Sequence, residues 1–180
     1  MTISTAEARC GLEFMNAQAE NIDPIAIAVK LTNKGLPQEI VTRLTELCDQ
    51  VKIIGGRVIH IGKIIVMKIW EFIQANPNLA IGIAVGAALG ALSQLVPFIG
   101  SLIAPIITAL STIFGAVVGH RMDKQEQGKN LESGVIGLTA DIISLAKEFF
   151  KLFSSILNAL AEYFTTMNSN YTSQGNNLRF

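Results

Sequence analysis

Apolar positions recur with a helical rhythm in the first third of this chain, and the rhythm then gives way to a long run that carries no charge. Leu36, Ile40, Val41, Leu44, Leu47, Cys48 and Val51 stand three and four residues apart. That spacing predicts an amphipathic helix opened by Pro37. Ahead of it, Asp23 as cap and Pro24 at the first helical position open a helix over 24–33, and Asn33-Lys34-Gly35 ends it. A short helix of mixed polarity is expected over 3–20. The pair over 24–51 has the outline of a helix–turn–helix. Its second helix offers Arg43 among Glu39, Glu46 and Asp49, the wrong charge for phosphate contact, so nucleic acid is not an expected partner.

From Lys52 to Gln74 the pattern allows two readings. On a helical wheel Lys52, Arg57, His60, Lys63, Lys68, Glu71 and Gln74 share one arc, and Ile54, Val58, Ile61, Ile65, Ile69, Phe72 and Ile73 fill the opposite side. The β-branched content also fits a strand. The long register of a single polar arc favours helix, with Gly55-Gly56 as a kink. The expectation is a basic amphipathic helix over 52–76 with Trp70 near its end. Such helices lie on anionic membrane surfaces with Trp at headgroup level. A helix packed on its own protein behind a solvated lysine face weighs equally.

No ionisable side chain lies between Glu71 and His120, so the 48 residues from Phe72 to Gly119 are uncharged. A bilayer-spanning helix needs about 20 mostly apolar residues. The stretch after Asn76-Pro77-Asn78 holds two such lengths, 79–96 and 102–119, with a turn at 97–101 marked by Pro97 and Gly100. Both are apolar all round, where a core helix needs one stripe. Gly82, Gly86 and Gly90 repeat every four residues in the first length, with Ala80, Ala84 and Ala88 beside them. Ser111, Gly115 and Gly119 repeat in the second. Small-residue rows permit close backbone approach between helices in lipid. In water each such Gly costs about 1 kcal/mol against Ala. Ser93, Gln94 and Thr108 are expected to bond between helices or to line a narrow pore.

These features resemble the glycine-zipper helical-hairpin membrane proteins over residues 77–122. The hairpin with amphipathic flanks is also similar in outline to colicin-type pore formers. That resemblance implies a hairpin stored inside a helical bundle until it meets a membrane. The chain departs from that family in being too short for separate receptor and translocation domains.

The expected organisation is all-α: short helices over 1–51, the basic helix over 52–76, a hydrophobic two-helix hairpin over 77–120, a polar linker over 121–132, an amphipathic helix over 133–166 capped by Ser133, and a polar tail over 167–180. Half the residues are hydrophobic and 16% are charged, below the roughly 25% of soluble domains. Net charge is zero, so attraction to a surface must come from local clusters: Lys52, Arg57, Lys63, Lys68 and Arg121, with Trp70 as anchor. The N-terminus has no basic region followed by an apolar core, so no Sec-type signal is expected, and the protein is expected to be made in the cytoplasm. Lysines on both sides of an uncharged turn predict both termini on the cytoplasmic side.

Catalytic chemistry is not expected. His60 and His120 do not stand at metal-ligand spacing with Cys10 or Cys48, so no metal or cofactor is called for. Gly56 to Lys63 has one residue too many for a phosphate-binding loop, and Ile64 stands where Ser or Thr should hold magnesium. The function expected is a membrane-inserting, oligomerising helical protein, pore-forming or membrane-permeabilising like a toxin, effector or holin. The alternatives are a non-catalytic anchor or membrane-shaping scaffold, and a soluble helical protein that self-assembles. The expected partners are a lipid bilayer and further copies of the chain, with no small-molecule substrate.

Overall fold

The computed structural model describes residues 3–122 and 132–164, and over 114–122 and 132–139 it describes the helical backbone alone. Helix α1 (Thr5–Glu20) opens on a reciprocal cap: Ser4 Oγ accepts from the Glu7 amide, and the Glu7 carboxylate accepts from the Ser4 amide at 2.9 Å. The Ser4 hydroxyl also donates to the Glu7 carboxylate at 2.7 Å, and this bond, followed by that of the Ser4 amide, holds the Glu7 carboxyl below the usual carboxylate range. In α2 (Pro24–Asn33) Asp23 Oδ1 accepts from the Ile25 amide at 2.9 Å, and Gly35 beyond its end takes a φ of +88°. Helix α3 (Gln38–Leu47) follows Pro37 and buries Ile40, Val41, Leu44 and Leu47.

The expected helix over 52–60 does not form. Strands β1 (Lys52–Ile54) and β2 (Arg57–Ile59) pair antiparallel, Lys52 opposite Ile59 and Ile54 opposite Arg57. Gly55 and Gly56 make the two-residue turn with φ of +59° and +78°. Two consecutive positive φ values define the tight hairpin turn that matches strand twist, and two glycines adopt it without steric cost. Gly-Gly between β-branched pairs (Ile53-Ile54 and Val58-Ile59) is therefore a hairpin signal, not a kink. The polar residues of that segment share a helical arc only by coincidence of spacing.

Helix α4 (Ile61–Ala75) follows, and it is not a surface helix. Ile61, Gly62, Ile64, Ile65, Val66, Met67, Ile69, Phe72 and Ile73 are all buried. At Gly62 the backbone of α4 meets the end of α3: its amide donates to the Gln50 carbonyl at 3.0 Å, and an added Cβ would run into the Leu47 carbonyl oxygen. Helix α5 (Ile81–Leu95) buries Ala84, Val85, Ala87, Ala88, Leu89, Ala91 and Leu92. A 3-10 turn (Pro97–Ile99) joins it to α6 (Gly100–Met122), whose first residue is Gly100 at an ordinary helical φ of −53°. Gly100 thus begins the helix directly after the turn. Pro105 lies in the second turn of α6. Helix α7 (Glu132–Ala159) contains Ser133 within it, so Ser133 is not the cap.

Helices α4 and α5 form the inner pair. Helix α7 is the main partner of α5, and α1, α3 and α6 complete the sheath, while α2 rests chiefly on α3. Ala84, Ala88 and Ala91 of α5 and Ala146 of α7 are fully enclosed, and the large side chains Phe150, Leu157 and Leu160 fill the remaining volume. Phe72 packs edge-on to Phe149 at 5.3 Å and tilted against Phe150 at 5.6 Å. The described residues are mostly helical, with one small antiparallel strand pair. Among the described residues no helix is long and apolar enough to cross a membrane.

Candidate functional site

The uncharged segment is spread over the end of α4, all of α5 and the described part of α6. Its small-residue rows do not all do the same work. The Ala84–Ala88–Ala91 side of α5 is packed against neighbouring helices. Gly86 and Gly90 are half-buried, and a Cβ added at either would meet nothing within 4 Å. Gly82 is half-buried as well. On α6, Ser111 is exposed, while Gly115, Gly119 and Arg121 fall where side chains lie outside the described residues. Residues 123–131 of the expected linker over 121–132, and the tail over 167–180, also lie outside them.

The polar side chains of the segment turn back onto their own helices. Ser93 Oγ donates to the Gly90 carbonyl at 2.9 Å, and Thr108 Oγ1 donates to the Ala104 carbonyl at 3.0 Å. Gln94 is exposed. The end of α5 is closed from outside: Asn158 Nδ2 of α7 donates to the Leu95 carbonyl at 2.8 Å, supplying one of the bonds a helix terminus lacks. Pro97 is exposed in the following turn. Phe98 stacks on Phe164 at 5.0 Å, and the two rings line a cleft of about 220 Å³ together with Lys52, Ile61 and Ser101.

Of the basic residues expected at a membrane surface, Lys52, Arg57, Lys63 and Lys68 stand on two different elements, the hairpin and α4. Lys52 and Arg57 stand on the hairpin, and the Arg57 guanidinium pairs with the Glu13 carboxylate at 3.2 Å. Lys63 Nζ donates to the Ile22 carbonyl at 3.3 Å. Lys68 Nζ pairs with Glu71 at 2.8 Å. Trp70 is half-buried, with the Lys30 and Lys34 ammonium groups of α2 at 5.8 and 5.9 Å from its ring centroid.

Sequence reasoning missed Asn16. It is buried on α1, donates through Nδ2 to the Val58 carbonyl at 3.1 Å, and accepts at Oδ1 from the His60 amide at 2.8 Å. The His60 ring Nδ1 lies 3.3 Å from the same oxygen. Asn16 thus stitches the hairpin and the start of α4 to α1. Glu13, Glu20, Arg57 and His60 ring it in an open cleft of about 350 Å³. The only signal in the sequence was an amide among the apolar positions Leu12, Met15 and Ala19 of a helix. Cys48 is buried, its thiol pushed up to about 11, first by loss of solvent, with Lys63 lowering and Asp49 raising it in turn. Burial therefore keeps it in the thiol form rather than the thiolate. Among the described residues no three His, Cys, Asp or Glu side chains gather to hold a metal ion.

Comparison with protein-family models, with curated proteins and with solved structures finds no match to this chain.

Proposed function

We propose that this protein is membrane-active: it carries its uncharged segment folded among its own helices and delivers it to a bilayer as an oligomerising hairpin that permeabilises the membrane. The observation that carries this reading is the absence of any ionisable side chain over the 48 residues from Phe72 to Gly119. A helix needs charge-free length to enter lipid, whereas a core helix needs only one apolar stripe. The row at Gly86 and Gly90 supports it too, because these glycines have open space above them and weaken the helix in water without serving a contact there.

The folded bundle is then the storage form. A helix of 15 residues such as α5 spans about 22 Å, short of the roughly 30 Å hydrocarbon layer. Insertion therefore extends α5 through Leu79, Ala80 and Val96 and strips α7 from it. A disulfide between Leu95→Cys and Asn158→Cys, placed where the Asn158 amide reaches the Leu95 backbone carbonyl, tests this with dye-loaded vesicles. The oxidised protein is expected to leave vesicles sealed, and reduction to restore leakage. Leakage by the oxidised form, or none by wild type, rejects the reading. A second reading, a self-assembling helical protein that never enters lipid, is favoured by the enclosure of the alanine side of α5. It is distinguished by a defined oligomer in water that leaves vesicles untouched.

A further inference from the structure

We infer that the outer face of α2, with Trp70 beneath its end, is a landing surface for anionic phospholipid headgroups, used by the folded bundle before any insertion; it rests on the membrane reading above. Helix α2 is the most peripheral helix, resting chiefly on α3 and burying only Ile27 and Leu31. Lys63 of α4 fixes the loop before it through the Ile22 carbonyl, and Trp70, two turns further along α4, lies beneath Lys30 and Lys34. That arrangement leaves Ile25 and Val29, one turn apart, pointing away from the core at 70% and 53% exposure. Ile25 and Val29 stand on one flank of the outer side of α2, and Lys30 and Lys34 on the other flank, over the half-buried indole; large apolar side chains, ammonium groups and an indole are the components of an interfacial contact.

Charge selects the occupant. Lys30 and Lys34 are exposed, one turn apart, and both directed at a single ring; like charges at that spacing repel. No carboxylate pairs with either among the described ion pairs. Asp23, the carboxylate bordering α2, is occupied in capping the opposite end of the helix. Glu71, the nearest acid along α4 from Trp70, is paired with Lys68. A lipid phosphate between the two ammonium groups supplies the missing anion, while Ile25 and Val29 enter the headgroup boundary.

Trp70 is the only tryptophan, so its emission reports this edge directly. The full chain is mixed with vesicles of phosphatidylcholine alone or of phosphatidylcholine with phosphatidylglycerol, and binding is read by flotation and by Trp70 emission. Wild type is expected to bind the anionic vesicles selectively with a blue-shifted emission. Lys30→Gln with Lys34→Gln should weaken binding about twenty-five-fold, since each basic residue at an anionic surface contributes about fivefold. Ile25→Ser with Val29→Ser should weaken it without removing lipid selectivity. All four side chains are exposed, so both variants keep the fold, checked by circular dichroism. Equal binding to both vesicle types, or lysine variants that bind as wild type does, overturns the inference. Leakage that persists unchanged in these variants removes the landing surface and leaves the insertion reading standing. Selective binding without leakage does the reverse.

Discussion

Three glycines show how the same residue serves opposite ends. At Gly62 a Cβ would strike the Leu47 carbonyl, so Gly62→Ala should destabilise the fold by about 1–3 kcal/mol, as overpacking against rigid backbone does. At Gly86 there is open space, so Gly86→Ala should stabilise it by about 0.5–1 kcal/mol through the entropy of the unfolded chain. Denaturant midpoints of the two variants check both signs. Gly56 holds a φ of +78°, where a β-branched residue is strained, so Gly56→Val should loosen the hairpin and expose the Asn16–His60 contacts to hydrogen exchange. Cys48 carries a pH dependence. Its folded pKa of about 11 stands above the ordinary 9.0, so as pH rises the unfolded chain releases the proton first. The stabilisation is whole below pH 9 and is lost between pH 9 and about 11. Over that window the wild-type denaturation midpoint should fall more steeply than that of Cys48→Ala; parallel slopes would contradict the assignment.

At the scale of elements, what could be read from sequence depended on local punctuation. Asp23-Pro24 and Gly35 bound α2 where their backbone chemistry requires it. The three- and four-residue spacing of Ile40, Val41, Leu44 and Leu47 became the buried side of α3. Residues 52–60 read ambiguously because a helical arc and a strand alternation can both be drawn through KIIGGRVIH, and the turn signal of Gly55-Gly56 outweighs the arc. Lys52 and Arg57 therefore lie on the strands and share no helix with Lys63 and Lys68. Long-range contacts left no local trace: nothing near Asn158 indicates that its amide closes α5, and nothing near Lys30 indicates Trp70. The Leu95 cap is worth about 1 kcal/mol by the usual value of such a bond, so Asn158→Ala should fray the end of α5, seen as faster exchange of the Val96 amide, which donates to Leu92.

For the whole molecule, hydropathy answers only part of the question. An uncharged helix meets the same demand from a protein core as from lipid: no charge, and backbone bonds satisfied within the helix. The sequence of α5 satisfies both, which is why its composition alone does not separate storage from insertion. In the fold its alanine side is enclosed and its glycine row is open, an arrangement compatible with a helix that has a second partner in a second environment. The most direct measurement places an environment-sensitive fluorophore at Ile83→Cys, with Cys10 and Cys48 replaced. Ile83 lies on α5 and is 48% exposed in the bundle. Iodide in water and a quencher buried at the bilayer centre are then compared with vesicles present. The account predicts that iodide loses access and the lipid-borne quencher gains it as leakage proceeds; a fluorophore that stays open to iodide and beyond the reach of the lipid quencher would contradict it.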